Sequence, residues 1–564
     1  MIKDNIKILK EKFKKFEIDG YIVPKNDEYF SEYAKNDRLK NISNFSGSAG
    51  IAVVLKKMNY LFVDGRYTIQ AEQESSKNFN VIEIHKKLPH TIFKNINLGF
   101  DPSVFTSKNL KKNFLNNNLI PVKDNLIDQI DRFKEKKTKP FYSLSNNIVG
   151  ESHQSKILKI TNFLKLNKAD YLFTTAPENV AWLLNIRGFD NPNSPIPNAR
   201  LIIDKDKKFF LITKKNNTKQ IIKERKIKKN QVIDIGDLPN LINKLKGKSF
   251  IIDNKSCSIF YENMIKSKFK ILDKNDPIYK LKSIKNSHEI NHTIEAHKKD
   301  GLALTKFIYW IKNINKKSIT EVEAQNKLEK FRKLNKDYLF PSFNTIAGSG
   351  SNGAIVHYRA KTKTTKRVNK KDLLLVDSGG QYSYGTTDVT RTISFNRQKK
   401  SIKNAYTNVL KGHIAVALTN LSKDNTGKKI DIRARKFLKK EGLDYAHGTG
   451  HGVGFFLNVH EGPQSISKYN TIKIQEGMIL SNEPGYYKKN FFGIRIENLI
   501  YVKRLSNKLF FENFTLAPFE KDLIDYELLN KIEKDYIFRY HLNIYAEYSN
   551  SLNKKERKWL ASLI

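Results

Sequence analysis

The feature that most constrains this chain is a set of five side chains, all of types that bind metal ions, placed in order along its last third. Four are carboxylates, Asp377, Asp388, Glu483 and Glu497, and the fifth is the imidazole of His451. Together they bring about four negative charges, which suffice to neutralise two divalent cations that share bridging oxygens. The chain is therefore predicted to fold so that these residues meet, and hydrolysis at a two-metal centre is the chemistry indicated.

Local patterns indicate that the carboxylates lie on strands. LLLVDSGGQYSYGTTDVTRTISF predicts a buried strand, a Gly-rich turn and an alternating strand, so that Asp377 and Asp388 face each other across a hairpin. The two-residue period places Thr390 on the same face as Asp388, where it is a candidate to orient the metal ligands. In GIRIENLIYV the alternation points Arg495 and Glu497 to one side, which gives the buried carboxylate a charged neighbour.

The segment HGTGHGVG adds glycines that let the backbone pass close to a metal or substrate while His447 and His451 project. It is not a phosphate loop, because the Lys-Ser/Thr ending of such a loop is missing. Each piece alone has an ordinary explanation, since an Asp in a hairpin is usually a turn former and a Glu at a strand end is usually solvated. The joint occurrence of all the pieces, in order, favours the metal-site interpretation.

The ordered motifs IVHYRA, VDSGGQY, GTTDVTRT, HGTGHGVG, NVHEGP, SNEPGYY and GIRIENL closely resemble those of the pita-bread metallopeptidases, and within them the Xaa-Pro aminopeptidase P group. FSGSAG and VDGRY are similar to the first N-terminal domain of those enzymes, and NVAWLLNIRG to the second. The resemblance implies an α/β (α+β) chain with two tandem creatinase-type N-terminal α/β domains, residues 1–145 and 146–277, before a pita-bread catalytic domain, residues 278–564. The similar segments DGYIVP and ADYLFTT also suggest two copies of one domain type.

The resemblance further implies that Asp377, Asp388, His451, Glu483 and Glu497 hold two divalent metal ions, with Asp388 and Glu497 bridging. Manganese is usual in the family, and an oxygen-rich site with one imidazole also tolerates cobalt, iron or zinc. In this interpretation Glu483 is the proton shuttle of the catalytic reaction.

The remaining implied roles concern the substrate. His357, His447 and His460 are expected on the substrate side of the site, with His357 and His460 hydrogen-bonding the scissile carbonyl, although a lone histidine is more often structural. Arg66 of VDGRY is expected to reach the substrate from the N-terminal domain, across a homodimer. A surface arginine after a tight Asp-Gly turn explains Arg66 equally well.

The implied function is a metal-dependent aminopeptidase that hydrolyses the N-terminal Xaa-Pro bond of peptides with proline in the second position. The bond before proline is a tertiary amide without N–H, so a site that needs no donor from it can accept it. One alternative is an Xaa-Pro dipeptidase (prolidase), which has a similar site but generally one N-terminal domain. Metal-free creatinase-like enzymes and non-catalytic pita-bread binding modules lack the metal set, and a methionine aminopeptidase is too short before its catalytic block.

Composition tests these interpretations. The formal net charge of +45 suggests a nucleic-acid partner, but the lysines are spread through the chain with abundant Asn and Ile, and no module interleaves them with stacking aromatics. The opening MIKDNIKILKEKFKKF predicts an amphipathic helix rather than a signal peptide, and no apolar stretch is long enough to cross a bilayer. We therefore expect a cytoplasmic protein without nucleic-acid or membrane partners. Cys257 is the single cysteine, fits a reducing compartment and is expected to be a packing residue.

Overall fold

The computed structural model describes residues 2–33, 36–131, 139–314, 319–362 and 365–564. They form two compact units, Met1–Tyr279 and Lys280–Ile564. In the N-terminal unit the helices are α1 (Ile2–Glu11), α2 (Arg38–Ser43), α3 (Thr68–Ser75), α4 (Pro89–Ile92), α5 (Ser107–Phe114), α6 (Asn146–Val149), α7 (His153–Leu166), α8 (Pro177–Leu183), α9 (Lys219–Lys223), α10 (Leu238–Lys244), α11 (Ile259–Lys266) and the start of α12 (Pro277–Ser283). The strands are β1 (Gly20–Pro24), β2 (Ile51–Leu55), β3 (Asn59–Val63), β4 (Asn80–Glu83), β5 (Asn97–Phe100), β6 (Asn118–Pro121), β7 (Tyr142–Ser143), β8 (Tyr171–Thr174), β9 (Ile186–Arg187), β10 (Arg200–Asp204), β11 (Phe209–Ile212), β12 (Val232–Ile233), β13 (Ser249–Ile252) and β14 (Lys270–Asp273).

Two six-stranded sheets with one topology organise the N-terminal unit. The strand orders are β4-β3-β2-β1-β5-β6 and β12-β11-β10-β8-β13-β14. In both sheets the strand at the fourth position pairs antiparallel on one side and parallel on the other. The repeat predicted from DGYIVP and ADYLFTT is therefore confirmed, because these segments form the equivalent strands β1 and β8. The boundary near residue 145 between the copies stays a prediction.

Both faces of the first sheet are covered. Along β1, Tyr21 and Val23 pack into one hydrophobic cluster with Leu9 of α1, whereas Ile22 packs into another with Phe114 of α5. This alternation is the two-residue period of a strand with helices on both sides, which is the predicted α/β pattern.

In the second sheet Cys257 is fully buried among hydrophobic side chains, so its prediction as a packing residue is confirmed. Among the described residues, the helices are too short or too polar for any one of them to span a bilayer.

The C-terminal unit combines small sheets with long helices. Its helices after α12 are α13 (Ser287–Asn313), α14 (Glu321–Lys333), α15 (Lys400–Ala417), α16 (Gly427–Lys440), α17 (Lys531–Tyr548) and α18 (Lys554–Ala561). Its strands are β15 (Tyr338–Pro341), β16 (Ile346–Ser349), β17 (Leu374–Ser378), β18 (Gly380–Tyr382), β19 (Gly385–Thr386), β20 (Val389–Ile393), β21 (Gly450–Gly452), β22 (Glu461–Ile466), β23 (Ile479–Asn482), β24 (Gly485–Lys488), β25 (Phe492–Arg495), β26 (Asn498–Leu505) and β27 (Lys508–Asn513). They form the sheets β15-β18-β19, β16-β17-β20, β22-β21-β23-β26-β27 and β24-β25.

The predicted hairpin between Asp377 and Asp388 is more elaborate in the structure. Strands β17 and β20 do pair antiparallel, with Asp377 opposite Thr390, but β18 and β19 lie between them in sequence and join β15 in another sheet. The chain leaves β17 and returns to β20 at a point where the two backbone segments lie very close together. A Cβ on Gly379 would lie 2.0 Å from the carbonyl oxygen of Thr387. Glycine at position 379 therefore permits this close backbone contact, in a segment whose sequence predicts only a simple turn.

Candidate metal centre

Two sheets of the C-terminal unit bring the five candidate ligands together. Asp377 lies in β17, Asp388 precedes β20, His451 lies in β21, Glu483 follows β23 and Glu497 precedes β26. The ligand atoms of Asp388, His451 and Glu497 all lie within 4.8 Å of one another. The Nε2 atom of His451 is 3.5 Å from Asp388 Oδ2 and 3.4 Å from Glu483 Oε1. Arg495, which is not itself a candidate ligand, links Asp377 to this group. We call the five candidate ligands the metal cluster.

The orientation of His451 suits a metal ligand. Its Nδ1 lies 2.9 Å from the carbonyl oxygen of Gly452, so Nδ1 carries the hydrogen and the Nε2 lone pair faces the carboxylates. Its backbone N–H donates to Ser481 Oγ at 2.9 Å, and the Ser481 hydroxyl donates to Glu483 Oε1 at 3.0 Å. Ser481 thus fixes the distance between the imidazole and Glu483.

Arg495 and Thr390 link the carboxylates on the other side of the cluster. The Thr390 hydroxyl donates to Glu497 Oε2 at 2.7 Å and accepts from Arg495 Nε at 3.0 Å. Arg495 Nη2 donates to Asp377 Oδ2 at 2.5 Å. The two isoleucines that flank Arg495 and precede Glu497 point into the hydrophobic core. Both linking residues therefore lie on the faces that the strand alternation assigns to them.

Burial and mutual repulsion shift the pKa values of the cluster in different directions. Burial raises the pKa of Asp377 to about 6, against the opposing effect of Arg495. Burial also raises the pKa of Glu497 well above its usual range, and the neighbouring carboxylates add to that rise. For Glu483 the nearby imidazoles and Arg495 outweigh burial, so its pKa is lowered. Burial lowers the pKa of His451, but the carboxylates of Asp388 and Glu483 raise it more, to about 9.

The protein does not balance the charges of this cluster by itself. Four buried or nearly buried carboxylates share one buried guanidinium, and Asp377 Oδ1 has no hydrogen-bond partner among the described residues. Carboxylate oxygens and one imidazole are a donor set that divalent ions such as Mn²⁺ accept. The residues present therefore fit a metal site, in which Asp377 Oδ1, unsatisfied by the described residues, is available to an ion.

His447 belongs to a hydrogen-bonded chain that the sequence did not reveal. Arg495 Nη1 donates to the Tyr487 hydroxyl at 2.7 Å, and this hydroxyl lies 2.8 Å from His447 Nε2. His447 Nδ1 lies 2.7 Å from the carbonyl oxygen of Gly448, so Nδ1–H donates and Nε2 accepts from the phenol. Burial lowers the pKa of His447 to about 4 and raises that of Tyr487 to about 12, so both groups are neutral. Tyr487 could have been noticed as the tyrosine that follows a ligand glutamate by four residues on a strand.

Of the other two predicted histidines, His460 contacts the metal cluster and the neighbour of His357 contacts Arg495. The ring centroids of His460 and His451 are 4.2 Å apart in an edge-to-face arrangement. His357 is half-buried and follows Val356, whose carbonyl oxygen is 3.5 Å from Arg495 Nη2. The structure thus brings His460 to a candidate ligand and the segment of His357 to the arginine that holds Asp377.

Arg66 lies in the N-terminal unit, and Asp64 holds its guanidinium. Arg66 Nε donates to Asp64 Oδ1 at 2.9 Å and Nη2 donates to Asp64 Oδ2 at 2.8 Å. The guanidinium carbon is 5.3 Å from the centre of the Tyr67 ring, and a third of the Arg66 side chain is exposed. Its contact with substrate stays a prediction.

Family models match the chain from end to end. Two models of the creatinase/prolidase N-terminal domain match residues 6–132 and 132–289. The model of metallopeptidase family M24 matches residues 291–504, and the model of the C-terminal region of peptidase M24 matches residues 507–563. The order of these matches agrees with the predicted architecture, and the fold-class prediction is confirmed.

Individual relatives extend the match. A probable Xaa-Pro aminopeptidase P of Coprinopsis cinerea is 33% identical over 98% of this chain and 96% of its own length. The crystal structure of an X-prolyl aminopeptidase of Caenorhabditis elegans, described as a cytosolic enzyme with a dinuclear active site, superimposes with a TM-score of 0.91 at 28% identity, covering 100% of this chain and 99% of that one. A prolidase of Pyrococcus horikoshii has a TM-score of 0.53 at 26% identity and covers 65% of this chain, although 99% of the prolidase is matched.

Proposed function

This chain belongs to the Xaa-Pro aminopeptidase P group of metallopeptidase family M24, and from that membership we propose that it removes the first residue of peptides whose second residue is proline, at a pair of divalent metal ions. The observation that carries the proposal is the excess of buried carboxylates over cations in the metal cluster. The prolidase alternative is disfavoured because the P. horikoshii prolidase leaves about a third of this chain unmatched.

Asp377, Asp388, His451, Glu483 and Glu497 would hold the two ions, with Asp388 and Glu497 bridging. The 4.8 Å group of ligand atoms and the dinuclear site described for the C. elegans relative support this assignment. When bound, such ions would lower the pKa of a water molecule to near neutrality, so that it can act as the nucleophile, and would polarise the scissile carbonyl. We propose manganese as the ion, with cobalt, iron and zinc as the competitors that metal analysis of the purified protein distinguishes.

The chain's own residues would move protons and orient the substrate. Glu483 would take the proton from the attacking water and deliver it to the departing proline nitrogen, because its Oε1 lies beside His451 Nε2 and is held there by the Ser481 hydroxyl. His460 and His357 would hydrogen-bond the carbonyl oxygen as it gains negative charge. His447 would offer a neutral ring that Tyr487 and Arg495 hold in place.

The decisive experiment compares three peptides. Metal-loaded protein is incubated with Xaa-Pro-Yaa, Xaa-Pro and Xaa-Ala-Yaa, beside an Asp388→Ala variant. We expect cleavage of Xaa-Pro-Yaa alone, and a fall of at least about 1,000-fold in the variant because it loses a bridging ligand. Cleavage of only the dipeptide would identify a prolidase, and a lack of both cleavage and bound metal would identify a binding module.

The proposal includes a cytoplasmic homodimer in which Arg66 of one subunit reaches the site of the other. The cytosolic C. elegans relative supports the location, and a third of the Arg66 side chain is exposed, so a partner subunit can contact it. Light scattering measures the oligomeric state. Mixing inactive Arg66→Ala and Asp388→Ala proteins after dissociation should restore about a quarter of wild-type activity if Arg66 acts across subunits, because half of the molecules are mixed dimers with one intact site. No recovery from a confirmed mixed dimer would place Arg66 on its own subunit's site or on none.

A further inference from the structure

A second cluster of buried charges lies in the C-terminal unit, outside the proposed ligands. Lys285 Nζ is 2.5 Å from Glu461 Oε1, and Lys282 Nζ is 2.8 Å from Glu461 Oε2. None of the three side chains is more than 1% exposed. Burial raises the pKa of Glu461, but the two ammonium groups outweigh it, so the pKa is lowered and Glu461 is a carboxylate. We call these three residues the lysine clamp.

The glutamate of the lysine clamp connects the segments of two site histidines. Glu461 directly follows His460 in sequence. At the start of β22 it pairs with Gly452, the residue after His451, at a register shift in the β21–β22 ladder. A Cβ on Gly454 would lie 2.9 Å from Glu461 Oε2, so the carboxylate fills the space beneath the Gly-rich segment. A movement of Glu461 would therefore shift both histidines.

The backbone of Lys285 is anchored independently of Glu461. The backbone N–H of Lys285 donates to the carbonyl oxygen of Gly477 at 2.9 Å, and Ile284 forms a β-bridge with Met478. Gly477 has a φ of +81°, and a Cβ there would lie 2.5 Å from the Lys285 carbonyl oxygen, so only glycine suits this contact. Asn286 then caps the 27-residue helix α13, and Lys282 lies in the last turn of α12. Residues 284–286 thus form a fixed support for the Lys285 side of the lysine clamp.

Stability alone does not account for three buried charges at this place. Apolar side chains of similar volume often stabilise a protein interior as well as a buried ion cluster does, because desolvation of the charges offsets their attraction. An ion pair is directional, whereas apolar packing is not, so the ion pair fixes where the carboxylate atoms lie. That property matters where a neighbouring residue must be oriented.

We propose that Lys282 and Lys285 are positioning residues of the peptidase, which hold Glu461 and through it the spacing of His460 from His451. This inference rests on the proposed role of His460 in the reaction. Residues that orient metal ligands and catalytic groups from behind typically contribute about 10- to 100-fold to activity or metal affinity. The lysine clamp should act on the turnover step and leave peptide binding nearly unchanged.

The test measures kcat, KM and bound metal for Lys285→Met, Lys282→Met and Glu461→Asp on an Xaa-Pro-Yaa peptide. We expect kcat to fall about 10- to 100-fold while KM changes less than about threefold and bound metal is retained. Lys285→Arg, which keeps the charge, should recover most of the kcat that Lys285→Met loses.

Lys411→Met is the matched control. Lys411 pairs with Glu533 at 2.8 Å, and these side chains are 13% and 8% exposed. This variant should lose thermal stability yet keep kcat within about twofold. If the clamp variants behave like Lys411→Met, with lower melting temperatures and wild-type kcat, the proposal is overturned. Should a Met variant fail to fold, Glu461→Asp decides, because it keeps all three charges of the lysine clamp and withdraws the carboxylate by one methylene. A wild-type kcat in Glu461→Asp overturns the proposal.

Wild-type protein and His460→Ala are measured beside these variants. A wild-type protein that cleaves no Xaa-Pro-Yaa would refute the proposed function. Wild-type kcat in His460→Ala would remove the role of His460 and overturn the positioning proposal with it. Loss of kcat in His460→Ala, with full kcat in every clamp variant, would overturn the positioning proposal alone.

Discussion

Two buried charged regions of the C-terminal unit differ in what balances their charge. Asp300 accepts from Arg332 at 2.7 and 3.1 Å and from the Tyr382 hydroxyl at 2.8 Å, so both its oxygens are satisfied within the chain. The metal cluster holds four carboxylates against Arg495 and His451, and Asp377 Oδ1 is left without a hydrogen-bond partner in the part of the chain that is described.

An excess of buried carboxylates over basic groups indicates an ion site. Burying an unpaired charge is costly, so a fold that assembles four carboxylates around one guanidinium and one imidazole depends on charge from outside the chain. A satisfied pair such as Asp300–Arg332 makes no such demand. Replacing an acid by its amide should therefore lower activity but not the free energy of unfolding in the metal cluster, and should lower the free energy of unfolding in the Asp300–Arg332 pair.

The largest expected effect is that of Glu497→Gln in the metal cluster. Activity should fall at least about 1,000-fold because a bridging ligand is lost. Without metal, burial and the neighbouring carboxylates raise the pKa of Glu497 and so favour its neutral form, which the amide resembles, and the free energy of unfolding should change by less than about 0.5 kcal/mol. Peptidase assays and urea unfolding of chelator-treated protein measure both quantities. A loss of several kcal/mol would mean that Glu497 is ionised without metal, and the comparison would fail.

Asp300→Asn should show the reverse pattern. Removing one charge of a buried pair leaves Arg332 uncompensated, which costs about 3–5 kcal/mol of unfolding free energy. The control is Glu476→Gln, whose partner Arg504 is 2.7 Å away with both side chains about half exposed, and which should cost under about 1 kcal/mol. Equal losses in the two variants would show that burial does not decide the energy of these pairs.

Thr390→Val tests how the metal cluster is oriented. Valine keeps the shape but removes the hydroxyl that donates to Glu497 and accepts from Arg495. Metal affinity should fall about 10- to 100-fold, as measured by titration of chelator-treated protein. Thr390→Ser keeps the hydroxyl and should stay close to the wild type. Unchanged affinity in the valine variant would remove Thr390 from the set of orienting residues.

The smallest expected effect is a pH dependence of metal-free stability. The folded-state pKa of His451 is raised from 6.5 to about 9, so its stabilising contribution is complete below pH 6.5 and is lost as pH rises through 9. The free energy of unfolding should fall by on the order of 1 kcal/mol per pH unit between these pH values. The contribution of Asp377, whose pKa is raised from 3.8 to about 6, is lost as pH rises through 6, which is below this range. The slope should be smaller in His451→Gln than in the wild type, and an unchanged slope there would assign it to another group, such as Glu497, whose pKa is also raised.

Sequence reasoning gave the site its members but not its connections. Strand periodicity indicated the facing of Asp388, Thr390, Arg495 and Glu497, because a two-residue period is a local property. Tyr487 escaped notice because its role depends on His447, 40 residues away, and on Arg495. The lysine clamp escaped for the same reason, since 176 residues separate Lys285 from Glu461.

The amino-acid sequence was sufficient for the chemical types and order of the candidate ligands, the repeated α/β pattern and the family. The tertiary structure alone decided that β18 and β19 leave the predicted hairpin for another sheet, and which polar atoms are satisfied within the chain. The physical reason is that periodicity and residue type act over a few positions. Charge balance is a sum over side chains from distant segments, and only folding fixes which of them meet.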